Sequence, residues 1–194
     1  MAAGLVESLG RAMPEPRERA QPWETVFEEF YLEHYGRVVS VLFRLTASRA
    51  EAEDLANEVF WKLYRQQLLP QQDGNVPGWL YRTATNLGID ALRKNARRRR
   101  HEHEAAQVTV QSRAGGGPLE GVLRDEKRRQ VRQALADLKP VQAQALILRA
   151  SGFSYHEVAE ALGVKRVSVG TLLLRAEQAF RKQYRATTGE EEEI

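Results

Sequence analysis

The sequence predicts an all-α protein of two small helical domains joined by a flexible linker. Apolar residues recur every three or four positions through most of the 194-residue chain, the spacing of one helix face, and no strand-like alternation of useful length interrupts them. One stretch, 107–118, has few apolar residues, no periodicity and the run Gly115-Gly116-Gly117. With 42% hydrophobic and 28% charged residues, the chain is long enough for one large or two small packed units.

Residues 1–22 are small and polar, broken by Pro14 and Pro16, and read as a disordered N-terminal extension. From Trp23 the pattern turns helical, and Phe27, Phe30, Tyr31, Val38, Val39 and Leu42 set one face of a helix ending near Thr46. Ser48 is the next N-cap, with Glu51 three residues on to complete a capping box. The second helix buries Ala52, Leu55, Ala56, Val59, Phe60 and Leu63 and ends near Gln66. Residues 69–75 form a loop, and Pro77 fits the first turn of a third helix. That helix turns Leu80, Ala84, Leu87 and Ala91 inward and gathers Arg82, Asn86, Asp90, Arg93, Lys94 and Arg97 on its polar face. The first domain therefore spans 23–100 and the linker 101–120. Three adjacent glycines predict halves that move independently.

The second domain spans 121–186, with an acidic tail over 187–194. Its first helix begins near Leu119 and breaks at Lys139-Pro140; another runs to Ala150. Ser154 and Glu157 then make a second capping box, Val158, Ala159 and Leu162 an apolar stripe, and Gly163 a left-handed helix end. Val169, Leu172, Leu173, Ala176 and Phe180 line the inner side of the last helix. Ser168, Thr171, Arg175, Gln178 and Lys182 fall opposite. The unit reads as a helix-turn-helix, and hydroxyls with a guanidinium at that spacing suit a DNA groove. A helical hairpin that only packs is the competing reading; the basic flank favours DNA.

The formal charge of +3 hides its distribution. Residues 22–70 carry eight acidic and five basic side chains, 91–103 six basic and one acidic, and 141–185 seven basic and three acidic. Glu190-Glu191-Glu192-Glu193 follows. Such segregation points to a polyanion at two places and a different partner for the acidic part. With no cysteine, disulfides and thiolate metal sites are excluded, which fits a reducing cytoplasm. No apolar run approaches a membrane span, and the N-terminus lacks an apolar signal core. His101-x-His103 is too sparse for a metal site, so neither metal nor cofactor is expected. No nucleophile–base pair or carboxylate pair marks an enzyme, and the glycine run follows no strand that would make it a phosphate cradle.

Three motifs carry a family likeness. Ala52-Glu53-Asp54-Leu55-Ala56-Asn57-Glu58-Val59-Phe60-Trp61-Lys62-Leu63-Tyr64 resembles the core-polymerase-binding helix of bacterial sigma factors. The segment from Val76 to Lys94, with Trp79-Leu80-Tyr81 and the Asn86-to-Asp90 step, resembles their promoter-melting segment. The segment from Leu138 to Arg175, including Ser168-Val169-Gly170-Thr171, resembles their last helix-turn-helix. Their order and spacing are similar to the extracytoplasmic-function (ECF) class of the sigma-70 family, which keeps only regions 2 and 4. The likeness implies a non-enzymatic cytoplasmic factor that binds core RNA polymerase at the β′ clamp and β flap and directs it to promoter DNA. An anti-sigma factor would be a further partner. A stand-alone helix-turn-helix regulator is the alternative.

On this reading Asp54, Asn57, Glu58, Trp61 and Arg65 bind core polymerase. Asn75, Trp79, Arg82, Asn86, Arg93, Lys94 and Arg97 meet minus-ten DNA, where cations pair with phosphates and aromatics with bases. Lys165, Arg166, Ser168, Thr171 and Arg175 meet the minus-thirty-five duplex. Leu173 and Leu174 depart from the polar residues usual in that family, which leaves the bases read undetermined.

Overall fold

A computed structural model describes residues 22–67, 74–107 and 119–189. Among these, seven helices follow in order: α1 Pro22–Thr46, α2 Arg49–Gln66, α3 Val76–Gln107, α4 Leu119–Ala136, α5 Pro140–Ala150, α6 Tyr155–Leu162 and α7 Arg166–Thr188. The extension over 1–21 and the charged tail over 190–194 lie outside the described residues. So does 108–118, while 101–107, assigned to the linker from sequence, continues α3.

The N-terminal half is a three-helix unit. Val38, Val41, Leu42 and Leu45 of α1 meet Ala52, Ala56, Val59, Phe60 and Leu63 of α2 and Leu80, Ala84 and Ile89 of α3, all buried. Ser48 caps α2 by accepting from the Glu51 N–H. The reciprocal half of that expected box is absent, because the Glu51 carboxylate instead accepts from Asn95 Nδ2 at 3.2 Å on α3. Gly88 lets α1 and α3 approach closely. A Cβ there would lie 2.5 Å from Leu45 Cδ1 and 3.0 Å from Leu42 Cδ2, both fully packed. Gly88→Val should overpack this crossing and destabilise the unit by about 2–3 kcal/mol, read as a lowered midpoint in thermal unfolding.

In the C-terminal half, α7 packs on α4, α5 and α6 around Ala143, Leu148, Val158, Ala161, Val169 and Ala176. The capping box at Ser154 and Glu157 forms in both directions. Gly163 takes φ +66°, the left-handed conformation that ends α6. The expected helix-turn-helix is therefore α6, a tight turn and α7.

The two halves do not stand apart. α3 lies against α6, α5 and α4, so one buried apolar cluster runs through both units. This differs from the independent halves expected from the glycine run. The reason lies outside the linker. Tyr81 on α3 and Phe153 before α6 are buried edge to face, centroids 4.5 Å apart. Packed on two sides, α3 buries a wide stripe. Tyr81, Ile89, Leu92 and Ala96 are buried, whereas the expected inward residues Leu87 and Ala91 are only half-buried.

Candidate nucleic-acid and polymerase interfaces

α2 turns Asp54, Asn57, Glu58, Trp61 and Arg65 outward because its other side is the stripe already spent on α1 and α3. Trp61 is 59% exposed and stacks on Tyr64, centroids 5.8 Å apart and planes 7° from parallel. Tyr64 is itself braced by Trp23 and Phe27. Glu58 pairs with Lys62 at 2.7 Å one turn on. The face therefore offers a rigid flat aromatic with carboxylates around it, a type of anchor enriched at protein interfaces.

α7 presents a second open face. Lys165, Arg166, Ser168, Thr171 and Arg175 are all exposed, and the buried residues of that helix, Val169, Leu173 and Ala176, lie opposite. Leu173 joins the core and Leu174 stands 56% exposed on the flank. Hydroxyls, guanidinium and one exposed leucine thus share the open side of α7.

The third surface, on α3, is partly engaged by the other half of the molecule, although Arg82 and Asn86 stay exposed and Arg93 is half-buried. Arg82 Nε donates to the Ala161 carbonyl of α6 at 2.6 Å. Arg93 donates to the carbonyls of Ala136, at 3.2 Å from Nε, and Leu138, at 2.8 Å from its terminal nitrogen. Asn86 Oδ1 accepts from Gln144 Nε2 of α5 at 2.6 Å. Asn75 is used locally, its Oδ1 accepting from the Gly78 N–H at 2.7 Å where α3 begins. Trp79 is half-buried against the core. Lys94 and Arg97 remain exposed. Of the seven residues expected to meet minus-ten DNA, three hold the other half of the molecule, one starts a helix, one packs, and two are open.

Sequence reasoning missed the residues that make this contact. Arg37 on α1 pairs with Glu157 of α6 at 2.7 Å, and its guanidinium lies 3.8 Å from the Phe153 ring centroid and 5.4 Å from that of Tyr81. Burial raises the Glu157 carboxyl pKa, but the Ser154 N–H and Arg37 outweigh it and hold it at about 2. Gln144 is a buried amide in an otherwise apolar stretch, bonded to Asn86 and within 3.4 Å of Thr85. Such a residue must find a polar partner. That was the one signal in the sequence.

Comparison with known proteins follows this geometry. The sigma-70 region 2 family matches residues 30–98 and the sigma-70 region 4 family matches 128–180. The RNA polymerase sigma factor YlaC of Bacillus subtilis is 30% identical over 165 residues, covering 84% of this chain and 95% of that protein. The ECF RNA polymerase sigma factor SigE of Mycolicibacterium smegmatis is 30% identical over 158 residues, covering 80% of this chain. The chain belongs to the ECF class of the sigma-70 family. It spans 60% of the length of that SigE. The sigma factor RpoE of Bartonella quintana, solved in complex with the anti-sigma factor NepR, is similar at 23% identity and a TM-score of 0.48, covering 83% of this chain and 98% of that one.

The region 2 match runs from within α1 into α3 and the region 4 match from within α4 into α7, so the cross-contacts join the two matched regions. Factors of this family direct transcription initiation and are not enzymes. Among the described residues no group of three or more His, Cys, Asp or Glu could hold a metal, and no helix is long and apolar enough to cross a membrane.

Region 2 also holds a titratable group beside the contact. His34 Nδ1 lies 3.0 Å from the Tyr81 hydroxyl, against the Phe30 ring. Burial lowers its pKa below 6.5, Glu33 raises it, and Arg37 adds to the lowering. A base with a depressed folded pKa takes up its proton more readily on unfolding, so its contribution is full above the ordinary histidine range and is lost as pH falls through it. Thermal stability should therefore drop as pH falls below about 6.5. Glu157, held at about 2, stays charged over that window. His34→Gln should flatten the profile. Parallel melting curves of the two proteins check this.

Proposed function

We propose that this sigma factor docks on core RNA polymerase through the Trp61 face of α2 and directs promoter-specific initiation, with α3 for the minus-ten strand and α7 for the minus-thirty-five duplex. The observation that carries it is the exposed, braced Trp61–Tyr64 stack on a helix whose other side is already buried. A stand-alone helix-turn-helix regulator has no use for that face. Pull-down with core enzyme and run-off transcription on genomic fragments test the reading; a protein that binds duplex DNA but neither captures core nor starts transcripts overturns it. A cytoplasmic location goes with this role. The β′ clamp, the β flap and an anti-sigma factor are partners expected from the family.

The bonds that engage α3 add to the reading. Trp61 and the α7 face are open, while Arg82, Asn86 and Arg93 are engaged. The described arrangement is a closed form able to reach polymerase and the upstream duplex. Minus-ten engagement requires α3 to part from α5 and α6.

Arg166 and Arg175 should separate by role. Arg166 starts α7, where the DNA backbone passes a recognition helix, so Arg166→Ala should weaken binding to all sequences alike and lower the salt slope by about one unit. Arg175 shares a face with Ser168 and Thr171, and Arg175→Ala should cost about 1–3 kcal/mol and relax preference at one position. Binding series on promoter variants at two salt concentrations distinguish them. Equal loss on every variant for Arg175→Ala would make it a phosphate contact.

A further inference from the structure

Over its first turns, the outermost line of α7 is largely apolar. At 3.6 residues per turn, Val167 and Thr171 lie within roughly 30° of the line directly opposite the buried Val169, Leu173 and Ala176. Leu174 stands on one side of that line and Arg175 on the other. Val167 is 86% exposed and Leu174 56%. Their spacing sets Val167, Thr171 and Leu174 in one row along the helix. Gly170 adds no side chain between Val167 and Leu174, and the Tyr155 ring of α6 lies alongside, its Cε2 3.8 Å from where a Cβ would be. The Arg149 guanidinium lies over that ring, 5.1 Å from its centroid, and donates to the Phe153 carbonyl.

A leucine or valine exposed singly is ordinary. A row of apolar groups at the farthest reach of a helix gains little from folding and marks a surface that meets something else. The charges beside the row say what. Arg166, Arg175, Arg181, Lys182 and Arg185, the five basic residues of α7, are all exposed, against the single acid Glu177. An apolar protein groove would leave such cations without partners, whereas a DNA duplex gives them phosphates on either side of the helix. Between those phosphates, the major groove offers one apolar group on its base edges, the thymine C5 methyl. Valine and leucine neither donate nor accept hydrogen bonds, so a cytosine or guanine edge beneath them would lose water with nothing in return.

We propose that Val167 and Leu174, with the Thr171 methyl, read thymine methyl groups in the duplex bound by α7, so that this factor selects part of its upstream element by apolar contact instead of hydrogen bonds. The inference rests on the assignment of α7 to the upstream duplex. Ser168 and Arg175, at the edge of the row, keep the polar part of the recognition.

Deoxyuridine lacks the thymidine methyl and keeps every hydrogen-bonding group, which makes it the probe. The full-length factor loaded on core polymerase selects from a random-sequence duplex library, with core alone as background. The best-bound duplex is then rebuilt with one thymine at a time changed to uracil. At thymines of the upstream element, affinity should fall about three- to fivefold each, the effect of one buried methyl group. Val167→Ser/Leu174→Ser changes two exposed positions where the fold tolerates exchange, which a thermal melt checks. That variant should bind the thymine duplex less tightly, and the cost of uracil at the same positions should vanish. Upstream thymines that all tolerate uracil, or a cost that persists undiminished in the double variant, overturn the methyl reading while leaving α7 on the duplex. If no upstream sequence is enriched over core alone, the assignment of α7 falls and the proposal with it. A double variant that loses core capture with its sequence preference unchanged makes the row a protein contact, against the proposal.

Discussion

Arg37→Glu opens the protein. The substitution removes the cation from above Phe153 and Tyr81 and sets a second carboxylate against Glu157, which is ionised at any working pH. A partly exposed ion pair is worth little by itself, about 0.2–1 kcal/mol, and the ring contact about 1 kcal/mol more. Repulsion in place of attraction brings the expected loss to about 2 kcal/mol, roughly thirtyfold in the balance between closed and open forms. Arg82, Arg93 and Gln144 still hold, so the molecule loosens without unfolding. Two measurements read the change. The radius of gyration from solution scattering should increase. The affinity of the free factor for a single-stranded minus-ten oligonucleotide should rise several-fold or more as Arg82, Asn86 and Arg93 are released. An unchanged affinity would mean that the engaged face of α3 is not where the strand binds.

Loss of Trp61 should have an effect of similar size on a different partner. Trp61→Ala removes a large exposed aromatic that stacks on Tyr64. Folding stability should stay within about 0.5 kcal/mol, as for other surface changes. Binding to core polymerase should weaken by about 2 kcal/mol or more, the ordinary result of truncating a central interface aromatic. Titration of core enzyme with the two proteins, beside thermal melts, separates the effects. Equal core affinity would remove α2 from the proposed interface.

Much of this was legible because local rules and tertiary packing agree. Ser154, Glu157 and Gly163 announce α6 and its end, and the structure uses all three as capping chemistry demands. The alternation of Val169, Leu173 and Ala176 with Ser168, Thr171 and Arg175 likewise fixed which side of α7 faces out. Failure came where a second surface intervened. The polar face of α3 was read as free because the periodicity of a helix reports only that one side is apolar. It does not say what covers the other side. Arg37 has no sequence feature that ties it to Phe153, more than a hundred residues on. The expected box at Glu51 failed for the same reason, since Asn95 on a neighbouring helix took its carboxylate.

The bonds from Arg82 and Arg93 end on main-chain oxygens, those of Ala161 in the last turn of α6 and of Ala136 and Leu138 at and beyond the end of α4. A helix leaves its final carbonyls unpaired and slightly negative whatever side chains it carries, so these two arginines read only the direction in which the helices stop. Side-chain replacements at 136, 138 or 161 that keep the backbone path would leave the bonds in place, and no compensating change on α3 would follow. Paired substitutions across homologous sequences would therefore give no trace of this part of the contact. The ion pair of Arg37 with Glu157 is where such a trace would appear.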